Sequence, residues 1–326
     1  MKTTKKFLLT AAALAVITST SAFAGIKLIE TNDITVDMNG DIDLLIKNMD
    51  DSEGTQIEAN FDDLDFTFTY VINEDLKIIA ETDFTSEFED GNPVENAGAW
   101  VGFAYNEHNV QAGYQEISFD PLGIDNAEIM PTGMASGDTD GAGTEHESSI
   151  QYKYLGDKFW VAATYGKPED SSSGTDSTIP EVYQIAAMAN IDKLQIAGGV
   201  GHTETIENDV TMYESTYGQA EAEYDYGNGT VALLLSHEDQ DVTSAATNVK
   251  TTGVEFDVTY KLTNDLTLVA GAERLMQDFD SEKDYDDLDT AYIGTRYQFN
   301  KFVTLYTEVG MAKGDFWGYG KTEPKE

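Results

Sequence analysis

The sequence contains no cysteine, which excludes a disulfide framework, a thiolate metal site and a cysteine nucleophile. Basic residues are scarce, since 19 Lys and Arg stand against 60 Asp and Glu, a formal net charge of −41. A surface this acidic repels phosphate backbones, so nucleic acid is excluded as a partner. Stability must therefore come from apolar burial or from ladders of backbone hydrogen bonds.

Long hydrophobic runs are also missing, and no stretch is long enough for a membrane-spanning helix. The start MKTTKK is rich in lysine, an apolar run follows from Phe7 to Ile17, and the small-residue triplet Ala22-Phe23-Ala24 comes next. This order predicts a secretory signal peptide over residues 1–24, cut after Ala24. The protein is therefore expected to leave the cytoplasm, with residues 25–326 as its single mature domain.

The mean hydropathy is −0.36, which taken alone suggests a soluble protein. However, 17 Tyr and 15 Phe argue against disorder, because aromatic side chains need a place to be buried. Membrane β-barrels also have low mean hydropathy, because their apolar residues alternate with polar ones. The period of the pattern is therefore more informative than its mean.

The first long segment after the signal alternates in this way. Val36, Met38, Ile42, Leu44 and Ile46 share one phase, and acidic residues hold the other. In the next segment the phase slips near Asp62-Asp63, which predicts a β-bulge. Two later strands, Gln219–Tyr226 and Val254–Leu262, alternate most regularly.

The connections between these segments alternate between long polar loops and tight turns, with no helical stretch between them. Fifteen strands of roughly ten residues can be recognised, a length typical of outer-membrane barrels. Aromatic residues near strand ends, where interfacial girdles form, support this interpretation: Tyr105, Tyr165, Tyr226, Tyr260 and Phe299. The alternative is an all-β sandwich or a secreted solenoid.

The segment from Phe119 to Glu147 interrupts this cadence. It contains Pro121, Pro131 and several glycines, so it cannot be a strand inside a sheet. Loops of this length usually have a function of their own. We expect this one to fold into the mouth of the barrel and narrow it; the alternative is a surface excursion.

These features together resemble a general diffusion porin of Gram-negative outer membranes. The resemblance lies in the short piece GIKLIE before the first long strand, the strand-loop-strand-turn cadence, and a third loop that begins FDPLGID. It implies a trimeric, sixteen-stranded, transmembrane antiparallel β-barrel, an all-β fold with a long third loop folded into the lumen. The Pro-Glu-Phe-Gly-Gly loop motif of the family is absent, and MPTGM and GAGTE stand in its place.

The sixteenth strand is not obvious from the sequence. Part of it can come from Ile26–Glu30, as in the family, or from the C-terminal FWGYGKTEPKE, which contains Pro324. A third reading is a chain truncated in its last strand.

The resemblance implies that loop carboxylates face basic side chains across the lumen. The candidate constriction residues are the acids nearest the start of the loop, Asp120, Asp125 and Glu128. The candidate pore-wall residues have the polar phase of their strands: Asp37, Asp41, Asp43, Lys47, Asp63, Asp65, Lys77 and Arg296. Because rings of acid favour cations, we expect a water-filled, cation-preferring channel for small hydrophilic solutes and ions. Each residue could instead be a solvated wall residue with no selective role.

The other expected partners are outer-membrane lipid and lipopolysaccharide, with no cofactor and no structural metal. The acidic loops MDDSEG and DFDSEKDYDDLD could bind calcium or magnesium, but neither has the spacing of an EF-hand. An enzyme is not expected, because no Gly-x-Ser-x-Gly elbow occurs and Ser236 and His237 are adjacent in a strand, on opposite faces. A barrel without a through-pore, with an adhesion or structural role, stays as the alternative function.

Overall fold

In the computed structural model, the residues that the structure describes form one antiparallel sheet of 17 strands. The structure describes residues 16–19, 26–48, 55–87, 95–119, 121–124, 145–168, 180–207, 210–242, 247–279, 287–300 and 303–313. Among these residues, no helix is long and apolar enough to cross a membrane.

The strands follow one another along the chain with short or polar connections. They are β1 (Val16–Ser19), β2 (Ile26–Glu30), β3 (Ile34–Asn48), β4 (Thr55–Val71), β5 (Leu76–Glu87), β6 (Glu95–Tyr105), β7 (His108–Glu116), β8 (Glu145–Leu155), β9 (Phe159–Gly166), β10 (Glu181–Ile191), β11 (Leu194–Glu207), β12 (Val210–Asp225), β13 (Thr230–Val242), β14 (Thr247–Lys261), β15 (Leu266–Phe279), β16 (Leu288–Asn300) and β17 (Val303–Lys313).

Each strand from β3 to β16 pairs with the next one in the chain. β1 pairs with β17 on one side and with β3 on the other. Without β1, which precedes the predicted cleavage point, 17 − 1 = 16 strands remain. The predicted all-β barrel is confirmed, and β3 to β17 are the fifteen strands recognised in the sequence.

The alternation in the sequence creates two different sheet faces. The outward face exposes large apolar side chains, because the residues of one phase have no protein layer against them. Examples from five strands are Phe103, Ile185, Val200, Phe256 and Ile293. The aromatic residues predicted at strand ends all lie exposed on this face.

The bulge predicted near Asp62-Asp63 is present. The register between β4 and β5 shifts between Phe61 and Leu64, and the register between β3 and β4 shifts between Asn39 and Asp41. A bulge restores the alternation that an extra residue would otherwise invert.

The tight turns have the backbone geometry expected of two-residue hairpins. Asn106 and Asp192 adopt positive φ angles of 50° and 58°, which asparagine and aspartate tolerate better than most residues.

At the end of the barrel opposite these turns, several strands are longer than the alternation in the sequence predicts. β13, for example, continues past His237 to Val242 and keeps its pairing with β14. The outward-facing side chains of this extension are polar, and the Asp239 carboxylate lies 3.5 Å from the Lys250 ammonium group. Polar residues are tolerated beyond the apolar belt because backbone hydrogen bonds hold these strands together.

The N-terminal strands fill the position between the two ends of the ladder. β3 and β17 run in the same direction, since an even number of antiparallel pairings separates them. They cannot form an antiparallel pair with each other. β2 is antiparallel to β3, and β1 is antiparallel to both β3 and β17. A strand from the N-terminus is therefore needed as the antiparallel partner between β17 and β3.

Candidate functional site

The beginning of the long loop lies inside the barrel, against the inner face of the wall. Phe119 and Leu122 are almost completely buried in a cluster with Ala186, Ala197 and Tyr217. The rings of Phe119 and Tyr217 meet edge to face, with centroids 5.1 Å apart. Further along, Ile124 packs against Ala232 and Leu234 of β13. The loop thus crosses the inner face from β7 to β13, which confirms that it folds into the lumen.

Two glycines of β11 make room for these aromatic rings. A Cβ atom at position 199 would lie 2.7 Å from Cε2 of Phe119, and one at position 201 would lie 2.3 Å from Cζ of Tyr217. Both distances are far below van der Waals contact. Gly199 and Gly201 therefore create the recess that receives the loop.

Hydrogen bonds attach the same segment to three strands. The Phe119 amide donates to Oε1 of Gln184 at 3.2 Å, and the Gly123 amide donates to Oε2 of Glu221 at 2.8 Å. At the base of the loop the hydroxyls of Ser118 and Thr164 are 2.6 Å apart. Because each bond joins residues distant in sequence, the loop position depends on the assembled barrel.

The wall beneath the base of the loop is polar but uncharged. Gln151 donates to Thr164 at 2.8 Å, and Gln115 donates to the Ser149 hydroxyl at 2.9 Å. Gln184 donates to the Tyr217 hydroxyl at 2.7 Å. Buried amides of this kind rigidify a wall when their hydrogen-bonding capacity is satisfied.

The wall from β12 to β17 is instead rich in carboxylates. Glu238 accepts from the Ser215 hydroxyl at 2.6 Å and from the Gln240 amide at 2.8 Å. Glu255 and Glu273 are directly opposite each other on β14 and β15. The inward-facing buried acids of this wall are Glu221, Glu238, Glu255, Asp257, Glu273 and Glu308. The wall beneath the base of the loop is therefore largely neutral, whereas the wall from β12 to β17 is acidic.

Four of the predicted wall residues have described side chains. Asp65 accepts from the backbone amide of Asn39 at 3.2 Å and from its side chain at 2.8 Å. Asp37 has the same inward phase on β3 and pairs with Lys27 of β2. Lys77 lies exposed near the start of β5. The Arg296 guanidinium lies over the Tyr306 ring, 5.5 Å from its centroid.

The other predicted site residues cannot be placed as side chains. Asp120, Asp125 and Glu128 lie outside the described residues. The backbones of Asp41 and Asp43 pair with Asp62 and Asn60, and the Lys47 backbone pairs with Gln56. The side chains of Asp41, Asp43, Lys47 and Asp63 are likewise outside the description. The prediction for these residues stays a prediction.

Sequence reasoning missed the acidic wall of β12 to β17 as a part of the site. Glu221, Glu255 and Asp257 belong to the two strands with the clearest alternation, so their inward phase was readable from the sequence. What the sequence did not reveal was that Glu221 meets the inserted loop, because that depends on how the barrel curves.

The side chains of Ser236 and His237 lie on opposite faces of β13. A Cβ atom added to Gly253 would lie 2.3 Å from the Ser236 hydroxyl, on the inward face. His237 is exposed on the outward face and bonds Thr252 at 3.0 Å. The two side chains therefore cannot act together.

Within the described part of the chain, no group of three or more His, Asp or Glu residues is arranged to hold a metal ion.

A barrel with an apolar outer belt, a polar lumen and a loop attached inside it belongs to the class of outer-membrane channel proteins. A family model for Gram-negative porins matches residues 10–316. The chain therefore belongs to the Gram-negative porin family and is an outer-membrane porin.

Solved structures of outer-membrane proteins share this fold. OmpT of Vibrio cholerae in its trimer form has 23% identity and a TM-score of 0.75, with 87% of this chain and 90% of that chain covered. An anion-selective porin from Comamonas acidovorans has 12% identity and a TM-score of 0.64, covering 94% and 87%. Salmonella typhi OmpF in complex with daunomycin has 14% identity and a TM-score of 0.55, covering 93% and 96%. No protein of curated function matches the sequence significantly.

Proposed function

We propose that the protein is a cation-preferring diffusion channel for small hydrophilic solutes and ions. The observation that carries this proposal is the charge of the inward-facing side chains. Among those that the structure describes, the bases are Lys27, Lys77, Lys153, Lys261 and Arg296. Acids with the same phase are more numerous, and they include the six buried carboxylates of the β12–β17 wall as well as Asp37, Asp65, Glu81 and Asp83.

The fold alone does not decide the sign of the preference, since an anion-selective porin shares it. The lumen charges decide it, because the summed potential of a pore concentrates ions of opposite sign. We propose that Asp120, Asp125 and Glu128 continue the acidic lining at the constriction. The attachment of Phe119 and Gly123 to the wall supports this placement, because these two residues flank the first of the three acids and precede the second.

Reversal potentials in a salt gradient test this proposal. Changing Asp120→Asn, Asp125→Asn and Glu128→Gln together should lower the cation/anion permeability ratio. The effect should fade in concentrated salt, because the Debye length falls from about 8 Å at physiological ionic strength to about 3 Å at roughly 1 M. An unaltered ratio would mean that these three residues do not line the constriction.

Two other outcomes are equally decisive. An anion-preferring wild type would overturn the electrostatic argument. Absence of conductance from well-folded protein would favour the alternative, a barrel with an adhesion or structural role.

Processing, assembly and surroundings belong to the same proposal. We propose that the signal peptide is cut after Ala24, that the mature barrel forms a homotrimer, and that its outer belt contacts outer-membrane lipid and lipopolysaccharide. The trimer form of OmpT, an outer-membrane protein that shares the fold, supports the assembly. We also propose that the protein has no catalytic activity, because Ser236 and His237 are on opposite faces of the wall.

A further inference from the structure

The described start of the long loop is held against the barrel wall by specific contacts with β10, β11 and β12. Its first residues bury the Phe119 ring in a recess lined by Gly199 and Tyr217. The backbone amide of Gly123, the residue after Leu122, bonds the Glu221 carboxylate of β12. We propose that Glu221 is a positioning residue that holds the loop at its place in the lumen and thereby sets the open cross-section of the channel.

Glu221 suits this task because of its location. It is 5% exposed, and its Oε2 accepts the Gly123 amide at 2.8 Å and the Gln219 side chain at 3.4 Å. A hydrogen bond to a buried acceptor oxygen is electrostatically stronger than one made in water. Gly123 has a φ of +142°, a conformation that L side chains rarely adopt, so this turn presents its amide to the wall only with glycine there.

Phe119 provides an independent second attachment. Its amide bonds Gln184, its ring fills the recess over Gly199, and its carbonyl accepts the Leu122 amide at 2.9 Å. The turn between Phe119 and Leu122 links the two attachments. Loss of either one should therefore loosen the loop without removing a strand of the barrel.

Glu223 offers a matched control for Glu221. It lies two residues further along β12, on the same inward face, and pairs with Gln195 and Ala232. It makes no hydrogen bond to the described part of the loop. Glu221→Leu removes a carboxylate and the loop acceptor, Glu223→Leu removes only a carboxylate, and Glu221→Gln keeps an acceptor oxygen while removing the charge.

Single-channel recording in concentrated salt separates these roles, because screening suppresses the effect of charge on conductance. For Glu221→Leu we expect the open level of each pore to split into several levels with frequent closures. Glu223→Leu should keep the wild-type level, and Glu221→Gln should restore it. A Glu221→Leu channel with the same level and closures as Glu223→Leu would overturn the proposal, and so would a Glu221→Gln channel that fails to restore it.

Phe119→Ala keeps the proposal testable if Glu221→Leu does not assemble. This variant changes no charge, so its cation/anion ratio at low salt should stay near that of the wild type while its open level becomes unstable. A stable wild-type level in Phe119→Ala would contradict the attachment. The inference rests on channel formation by the wild type but not on its charge preference, so failure of the two proposals can be distinguished.

Discussion

At the scale of single residues, a few long-range contacts determine where the loop lies. Phe119 is surrounded by residues from β10, β11 and β12, and Ser118 before it contacts Thr164 of β9. These contacts depend on one another. The recess over Gly199 stabilises the loop only if the Ser118 contact holds the Phe119 ring beside it. The position of the loop is therefore a property of the folded wall.

The contact between Ser118 and Thr164 can be tested covalently. Their hydroxyl oxygens are 2.6 Å apart, close enough for a disulfide after replacement of both residues. Because the chain has no cysteine of its own, Ser118→Cys with Thr164→Cys can form only one intramolecular bond. We expect this bond to form on mild oxidation, and the oxidised and reduced channels to conduct equally, since the loop base is already at this place.

Gel mobility without reductant measures bond formation, and conductance before and after a reducing agent measures its effect. Ser118→Cys alone is the control for reaction with other thiols. Two cysteines that stay free under oxidant would show that the base of the loop lies elsewhere.

At the scale of secondary structure, the direction of the strands makes the N-terminus indispensable. β3 and β17 are parallel in direction, and β2 is antiparallel to β3. An unpaired strand edge within lipid leaves backbone groups without hydrogen bonds, which costs several kcal/mol for each group. A short strand can therefore matter more here than its length suggests.

Deleting Ile26–Glu30 should abolish assembly of the processed protein, because β1 would be removed with the signal peptide and no N-terminal strand would be left beside β3. Membrane fractionation and resistance to protease would measure insertion. A variant with Ile26–Glu30 replaced by a different alternating pentapeptide is a suitable control, since it keeps the backbone ladder. Normal insertion of the deletion variant would show that the C-terminal FWGYGKTEPKE closes the barrel.

At the scale of the whole molecule, acidity and hydropathy are explained by the separation of two surfaces. Apolar side chains occupy the outward face, where exposed Phe103, Val200 and Phe256 form part of the belt. Carboxylates occupy the lumen and the strand ends beyond the belt. The net charge of −41 is therefore compatible with insertion into a membrane.

The purified protein should be a heat-modifiable β-sheet trimer whose chains begin at Gly25. OmpT of Vibrio cholerae, which shares the fold, has a trimer form, and a ladder of backbone hydrogen bonds is expected to resist mild detergent until it is heated. Gels with and without boiling measure the first property, and intact mass measures the second. A band of monomer mobility in both gels would contradict the trimer, and a mass that includes residues 1–24 would contradict the cleavage.

The sequence by itself determined the strands, their inward and outward phases, the bulge at Asp62-Asp63 and the identity of the loop. These features are local, since period, turn residues and prolines act over a few neighbouring positions. It could not determine that Phe119 would enter a recess over Gly199, or that Glu221 would meet Gly123, 98 positions away in the chain. Contacts of that kind depend on the curvature and register of several strands at once, so only the tertiary structure decided which part of the wall receives the loop.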